Sequence, residues 1–409
     1  MSHQPVRTVL ISGAGIAGPT LAYWLHRHGF TPTVVEIAPG LRPGGQTVDL
    51  RGAGRAVVER MGLMAQARQR CVPQQGLAYV DATGRHLAEM TVDDFDGDGI
   101  ISELEILRGD LGALLYEATA GDVEYLFGRH LVDLQDGADE VRATFDDGTV
   151  RTFDLVVGTD GPHSGVRRLT FGPEERYVRP LGGYTAWFTA PDEVGLDGWF
   201  EMYNERGGLV VSMRPDTVPG QAKAGLSFVS EPLTYDRRDV PAQRRLLADR
   251  FAGVGGQAPA LLRAAATAND FYFDAITQVR MDRWSTGRIA LVGDAGYCPS
   301  PLTGMGTSLG LVGAYLLAGQ LALAHGDHER AFAEYERLLR PYVARGQELP
   351  PGGMKGYAPT SGLVIRSRAV SMRLMVSRPL RGLLKRLFFS HAEAIELPDY
   401  PVATQASPD

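Results

Sequence analysis

Apolar and polar positions follow two periods along this chain, and the places where the period changes divide it. Val6 to Ile11 is a short β-branched run. GAGIAG follows, then an apolar stretch of helical spacing from Thr20 to His28, a stop at Gly29 and a second run, TPTVVE. The pattern predicts strand, glycine turn, helix and strand, one βαβ unit at the start. From 45 to 120, turn clusters alternate with helical patterns, clearest at Arg55 to Gln69 and Asp110 to Ala120. Between Val123 and Val157 the period falls to two, in VEYLFG, HLVDLQDGADEVRATFDDG and TFDLVVGTDG, with turn signals at Asp136-Gly137 and Asp147-Gly148. A β-meander returning to the first sheet is expected there.

Residues 170 to 280 read differently. GGYTAWFTA, GWFEMYNERGGLVVSMRP and AGLSFVS, punctuated by Pro and Gly, predict an antiparallel sheet, interrupted by the helical pattern VPAQRRLLADRFAGV. RIALVGDAG then restores a buried-strand signature, and Thr307 to His325 is apolar enough to be a largely buried helix. The nucleotide-binding unit is therefore expected in two pieces, 1–170 and 284–345. A middle domain, 171–283, separates them, with part of 70–110 open to it, and a helical tail, 346–409, follows.

Composition narrows the class. A net charge of −7 with 44% hydrophobic and 22% charged residues describes a globular protein and disfavours nucleic acid as a partner. No apolar run is read as reaching the roughly 18 residues of a membrane span. The N-terminal sequence MSHQPVRTVLISG enters a strand without the regions of a signal peptide, so a cytoplasmic protein is expected. Cys71 and Cys298 make neither a disulfide framework nor a cysteine metal site. In the tail, Arg366 to Phe389 carries seven basic residues spread around the helical circumference and is broken by Pro379. That favours a structural tail bridging two domains over a membrane-surface helix.

Three motifs carry chemistry. Gly13, Gly15 and Gly18, with Ala14 between them, form G-x-G-x-x-G, and Glu36 lies 23 residues after the first glycine. These glycines permit the tight turn, the approach of backbone to a pyrophosphate and close helix-to-strand packing, with the helix start facing the phosphates. Glu36 is placed to accept from an adenosine ribose. GTDGPHSGVRR sets Asp160 and Gly161 at a strand end, followed by His163, Ser164 and Arg167. RIALVGDAGYCPSPLTGMGTSLG sets Gly293 and Asp294 at another and enters a helix through Pro301, Gly304 and Gly306. A carboxylate at such a strand end can hold a ribityl hydroxyl. Helices and a meander, rather than further βα repeats, follow the first unit, which favours FAD over a nicotinamide as the bound dinucleotide.

With these motifs in this order, residues 6 to 345 resemble the group A flavoprotein monooxygenases, the family of para-hydroxybenzoate hydroxylase and the tetracycline-inactivating monooxygenases. The resemblance implies an α/β fold, a Rossmann-like FAD-binding domain split by an antiparallel-sheet substrate domain. It implies one FAD held by the three motifs and by Arg108, at the start of a helix. It also implies NADPH or NADH as a transient co-substrate, and transfer of one oxygen atom from O2 through a C4a-hydroperoxyflavin to an aromatic or polycyclic natural product. Hydroxylation is the expected outcome, with Baeyer-Villiger insertion or epoxidation as variants and a non-redox FAD scaffold for cyclisation or binding as the alternative. A halogenase would need a W-x-W-x-x-I-P segment, which the chain lacks. No protein side chain need act as the catalytic group, and no metal is required. Departures are Ile37 where many relatives have arginine, Tyr297 where histidine is common and Gly313 where many have aspartate.

The middle sheet is expected to form the substrate chamber, with Trp187, Met202, Met213 and Phe228 as lining candidates and Arg214 as a contact for an anionic substrate or a surface residue. Strand alternation puts Tyr184, Ala186 and Phe188 on one face and Thr185 and Trp187 on the other, and leaves open which face meets substrate. His163 reads as a loop residue, solvated or beside the nicotinamide. A monomer or weak dimer is expected.

Overall fold

The computed structural model describes residues 6–95, 104–376 and 395–401. Thr8–Ser12 is buried beyond its first residue, as a strand covered on both faces must be. It runs parallel to Thr31–Glu36 on one side and to Leu155–Gly158 on the other. The whole sheet runs in the order Ser285–Thr286, Ile289–Leu291, Leu155–Gly158, Thr8–Ser12, Thr31–Glu36, Glu124–Phe127. The helix Ala17–Arg27 carries Pro19 in its first turn, where a missing N–H costs nothing, and Gly29 at φ +85° closes it.

The helix Gly306–Leu323 packs against Ala17–Arg27, Gly52–Arg60 and His328–Gly346. By length and composition alone it is long and apolar enough to cross a bilayer, which corrects the expectation that no run reaches that length. Its serine, threonine and glycines dilute the run to the eye. Burial of 72% of it inside the protein accounts for an apolar character on every side.

The meander only partly joins the first sheet. Leu131–Asp136, Val141–Phe145 and Val150–Phe153 pair as a separate three-stranded sheet before Leu155–Gly158 returns to the parallel one. The third sheet has seven strands, in the order Tyr272–Val279, Val178–Pro191, Gln221–Val229, Leu209–Pro215, Trp199–Glu205, Gly76–Val80, His86–Thr91. Its last two strands come from a region whose sequence shows turns and helices. Gly76–Val80 pairs in parallel with Trp199–Glu205, a partner more than a hundred residues away that no local pattern announces.

One face of this sheet is closed by the helices Val240–Arg250 and Ala258–Thr267. Leu247, Phe251, Leu261 and Ala265 form one apolar cluster with Tyr184, Ala186, Phe188, Leu226 and Phe228. The other face turns towards the parallel sheet. Beyond it, the helix Gly362–Met375 lies against the sheet edge, where the Arg368 guanidinium stands 4.6 Å from the Tyr79 ring centre and donates to Tyr357 O at 2.8 Å. Residues 395–401 lie instead on the first layer. Tyr400 covers Gly319, and Arg60 donates to the carbonyls of Leu397 and Pro398. The basic positions from 378 onward, with Pro379, lie outside the described residues.

Candidate active site

Four chain segments meet at the carboxyl ends of the parallel strands, the edge at which an open α/β sheet takes a ligand. After Thr8–Ser12 the chain turns through Gly13 at φ +111°, whose N–H donates to Val35 O at 2.7 Å. A Cβ there would lie 2.7 Å from Thr159 O. A Cβ on Gly18 would lie 1.9 Å from Gly13 O, so the first helical turn sits directly on the glycine turn. Ala14 donates its N–H to Glu36 Oε2 at 2.8 Å, and Ala38 donates to Oε1 at 2.9 Å. Ala14 thus holds the acid in place, and each Glu36 oxygen keeps a lone pair for another donor. The arginine missing at position 37 is answered from further on, because Arg42 Nη2 stands 3.8 Å from Glu36 Oε1, while Ile37 is exposed.

Arg108 begins the helix Arg108–Glu117, tied down by its N–H to Gln46 O at 3.0 Å. Its guanidinium crosses the glycine turn, and a Cβ on Gly15 would lie 3.3 Å from Nη2. Arg108 is exposed and forms no ion pair among the described residues. A cation with unspent charge beside the start of Ala17–Arg27 suits a pyrophosphate.

The two aspartates lie on the same rim. Asp160 Oδ2 accepts from the N–H groups of Gly165 and Val166 at 2.8 and 3.1 Å, at the start of the helix Gly165–Thr170. Burial pushes its carboxyl up, against the pull of Ser164 and these two amides. Gly161, at φ +83°, turns the chain away. Gly293 caps the short helix Asp294–Tyr297 at φ +69°. Burial also raises Asp294, opposed by a bond from Cys298 and by the charge of Arg108. Pro301 opens the turn Pro301–Thr303, Gly304 follows at φ +66°, and a Cβ on Gly306 would lie 3.7 Å from Asp294 Oδ1.

Arg167 is a component whose role the motif itself does not announce. It is fully buried and donates to Ala295 O at 2.8 Å and Pro162 O at 2.6 Å, with Glu174 at 3.9 Å to balance its charge. It therefore joins the Asp160 loop to the Asp294 turn. Its position in the first turn after the Ser164 cap was the available signal. Two of the sequence departures also explain each other. The Tyr297 hydroxyl lies 3.0 Å from Tyr335 Oη, and a Cβ on Gly313 would fall 2.0 Å from Tyr297 Oη. The larger side chain at 297 needs the glycine at 313.

The other face of the seven-stranded sheet is partly open at Tyr272 and Trp187 and is closed at Leu77, Tyr79, Phe200 and Met202 by Met354, Ala358 and Met372. Its register aligns Tyr272, Trp187, Gly225, Ser212, Met202 and Tyr79 in one row. Trp187 is on this face and partly open, and Met202 is on it but buried in the cluster with Met354 and Met372. Met213 and Phe228 are not on it. They point into the cluster under the two covering helices, so their candidacy as lining residues is corrected by strand alternation. Arg214 is neither a surface residue nor a spare charge. Its Nη1 pairs with Glu105 at 2.8 Å and donates to Thr47 Oγ1 at 2.6 Å, above the Phe200 ring at 3.7 Å. His163 is 27% exposed and has a partner at each ring nitrogen, Asp274 Oδ2 at 2.7 Å from Nε2 and Glu174 Oε1 at 3.0 Å from Nδ1.

A family described as an FAD binding domain matches residues 7–222. The chain belongs to the group A flavoprotein monooxygenases. It is 42% identical over 340 residues to a flavin-dependent monooxygenase of Legionella longbeachae, covering 83% of this chain and 87% of that one. An uncharacterized protein of Mycobacterium tuberculosis is 46% identical over 357 residues, covering 87% and 95%. Among solved structures, tetracycline destructase Tet(51) superposes with a TM-score of 0.81 at 35% identity, over 97% of this chain and 100% of that one. FAD is the cofactor of this monooxygenase. The rim fits it: side-chain-free approaches at Gly15 and Gly306, an Arg108 with no ion pair among the described residues, and the half-buried Asp160 and Asp294, the first with Oδ1 lacking a partner.

Proposed function

We propose that this monooxygenase transfers one oxygen atom from O2 to an aromatic or polycyclic natural product, most simply as a hydroxylation, with NADPH or NADH as electron donor. In this reading Glu36 receives the adenosine ribose. Arg108 and the helix starts behind Gly15 and Gly306 receive the pyrophosphate, and Asp160 and Asp294 take ribityl hydroxyls. When bound, the flavin supplies hydride acceptance and oxygen activation. The chain supplies placement and dryness. The observation that carries the substrate class is the packing of Trp187 across Gly225, where a Cβ would lie 2.7 Å from the indole Cζ3. The glycine lets the indole lie flat on the sheet, a platform for a planar apolar body. Tyr272, 45% exposed, continues the same row. The likeness to a protein named for tetracycline, a fused-ring compound, supports the same class.

Mixing the holoenzyme anaerobically with NADPH or NADH tests the redox part. The visible flavin band is expected to bleach with at least one of them, faster when a fused-ring aromatic is present. A band unchanged by both donors, with and without aromatic, would instead favour a scaffold role for FAD.

A further inference from the structure

Tyr272 opens the strand Tyr272–Val279 and belongs to the row that contains Trp187. It is 45% exposed, and burial together with the Asp274 carboxyl pushes its phenol well above the ordinary value. The ring is open while its hydroxyl reaches the buried Asp274. Asp274 in turn faces His163 of the Asp160 loop, which places Tyr272 beside the cofactor rim.

The hydroxyl has one proton, and the structure shows where it goes. Tyr272 Oη donates to Asp274 Oδ2 at 2.8 Å. Asp274 is a saturated acceptor. It also takes the Tyr235 hydroxyl on Oδ1 at 3.1 Å and the Ala275 N–H at 2.8 Å, and faces His163 Nε2 at 2.7 Å. His163 has a carboxyl group at each ring nitrogen, so neither nitrogen is left to take the Tyr272 proton. Among the described residues no second proton acceptor competes with Asp274 for the Tyr272 proton. What remains on Tyr272 Oη is lone pairs.

We infer that Tyr272 is a specificity-determining residue whose oxygen acts only as a hydrogen-bond acceptor, so the pocket selects ligands that present a hydroxyl or amine donor beside the flavin and discriminates against their alkylated or carbonyl counterparts. The reason is the usual asymmetry of buried polar contacts: a ligand lacking the donor leaves Oη desolvated and unpaired. The inference rests on the proposed class of aromatic substrate and specifies the group that class must carry.

The test compares 2-hydroxyanthraquinone with 2-methoxyanthraquinone, which differ at a single donor, by their effect on the flavin spectrum of the FAD-loaded enzyme. Wild type should bind the hydroxy compound at least tenfold more tightly, and Tyr272→Phe should bring the two within about threefold. FAD content should not change. Tyr235→Phe is the control for a merely structural role. Tyr235 also donates to Asp274 but packs edge-on against Phe273 in the helix-covered cluster, and this variant should keep the preference. A preference that survives Tyr272→Phe, or its absence from wild type, overturns the inference. Binding of neither anthraquinone tells against the polycyclic substrate class alone. A second pair, phenol and anisole, followed by ligand-observed NMR on the same enzymes, then decides the role of Tyr272. Preference for phenol in wild type that is lost in Tyr272→Phe sustains it, and equal signals in wild type refute it.

Discussion

Alanine in place of Gly18 is expected to give a protein that no longer retains FAD. The new Cβ would sit 1.9 Å from Gly13 O, a backbone atom that is itself fixed by the Gly13 N–H to Val35 O bond and by Thr159 Oγ1, which donates to Gly13 O at 2.8 Å. Nothing flexible is available to yield. The helix start must lift from the strand, at a cost of about 3 kcal/mol, the upper end for overpacking, and the N–H groups aimed at the pyrophosphate move with it. The matching control is Gly112→Ala. That glycine lies within Arg108–Glu117, and its Cβ would meet nothing nearer than 4.0 Å. Alanine there should be neutral or stabilising by about 0.5 to 1 kcal/mol, with FAD retained. Thermal melting and the ratio of flavin to protein absorbance read both effects.

Asp294→Ala should weaken FAD binding roughly 10- to 100-fold, the worth of a charge-assisted hydrogen bond of about 1.5 to 3 kcal/mol. The fold should survive, because Asp294 sits at the open rim and not in the core clusters. The pH dependence has a defined sign. Burial raises the Asp294 carboxyl above the usual carboxylate range, so its charge is lost at a higher pH than an ordinary aspartate would lose it. FAD affinity should therefore fall as the pH is lowered, beginning above the normal aspartate range, and the alanine variant should lack that component. Titration of the apoproteins with FAD at a series of pH values measures both.

The parts of the site that were legible in the sequence are those whose reasons are local. A glycine at φ +111°, an acid ending the next strand and a proline in a helix's first turn each leave a mark within a few residues. Pairing between distant segments leaves none. GLAYV is an apolar run too short to distinguish strand from helix by period, and it becomes a strand because Trp199–Glu205 is there to receive it. The helix Ala258–Thr267 decides which face of the seven-stranded sheet is closed. Without it, Met213 and Phe228 looked as suitable for a pocket as Trp187 and Met202, because both faces carry apolar residues. The same limit explains Tyr297 and Gly313. Each looked like an isolated departure, and only their contact across the fold shows that one makes room for the other. Arg214 and His163 differ in kind, since their types fitted a ligand role equally well until Glu105, Asp274 and Glu174 were placed against them.

Isotope labelling separates oxygen transfer to an aromatic ligand from every other use of a reduced flavin. The FAD-loaded enzyme is incubated with NADPH or NADH, isotopically heavy O2 and a panel of hydroxylated fused-ring aromatics, and the products are weighed by mass spectrometry. The expected product has gained a single heavy oxygen atom and forms only when enzyme, reduced nicotinamide and O2 are all present. Consumption of the nicotinamide with release of hydrogen peroxide and no labelled product from any aromatic, or oxygen incorporated from water instead of O2, would contradict it.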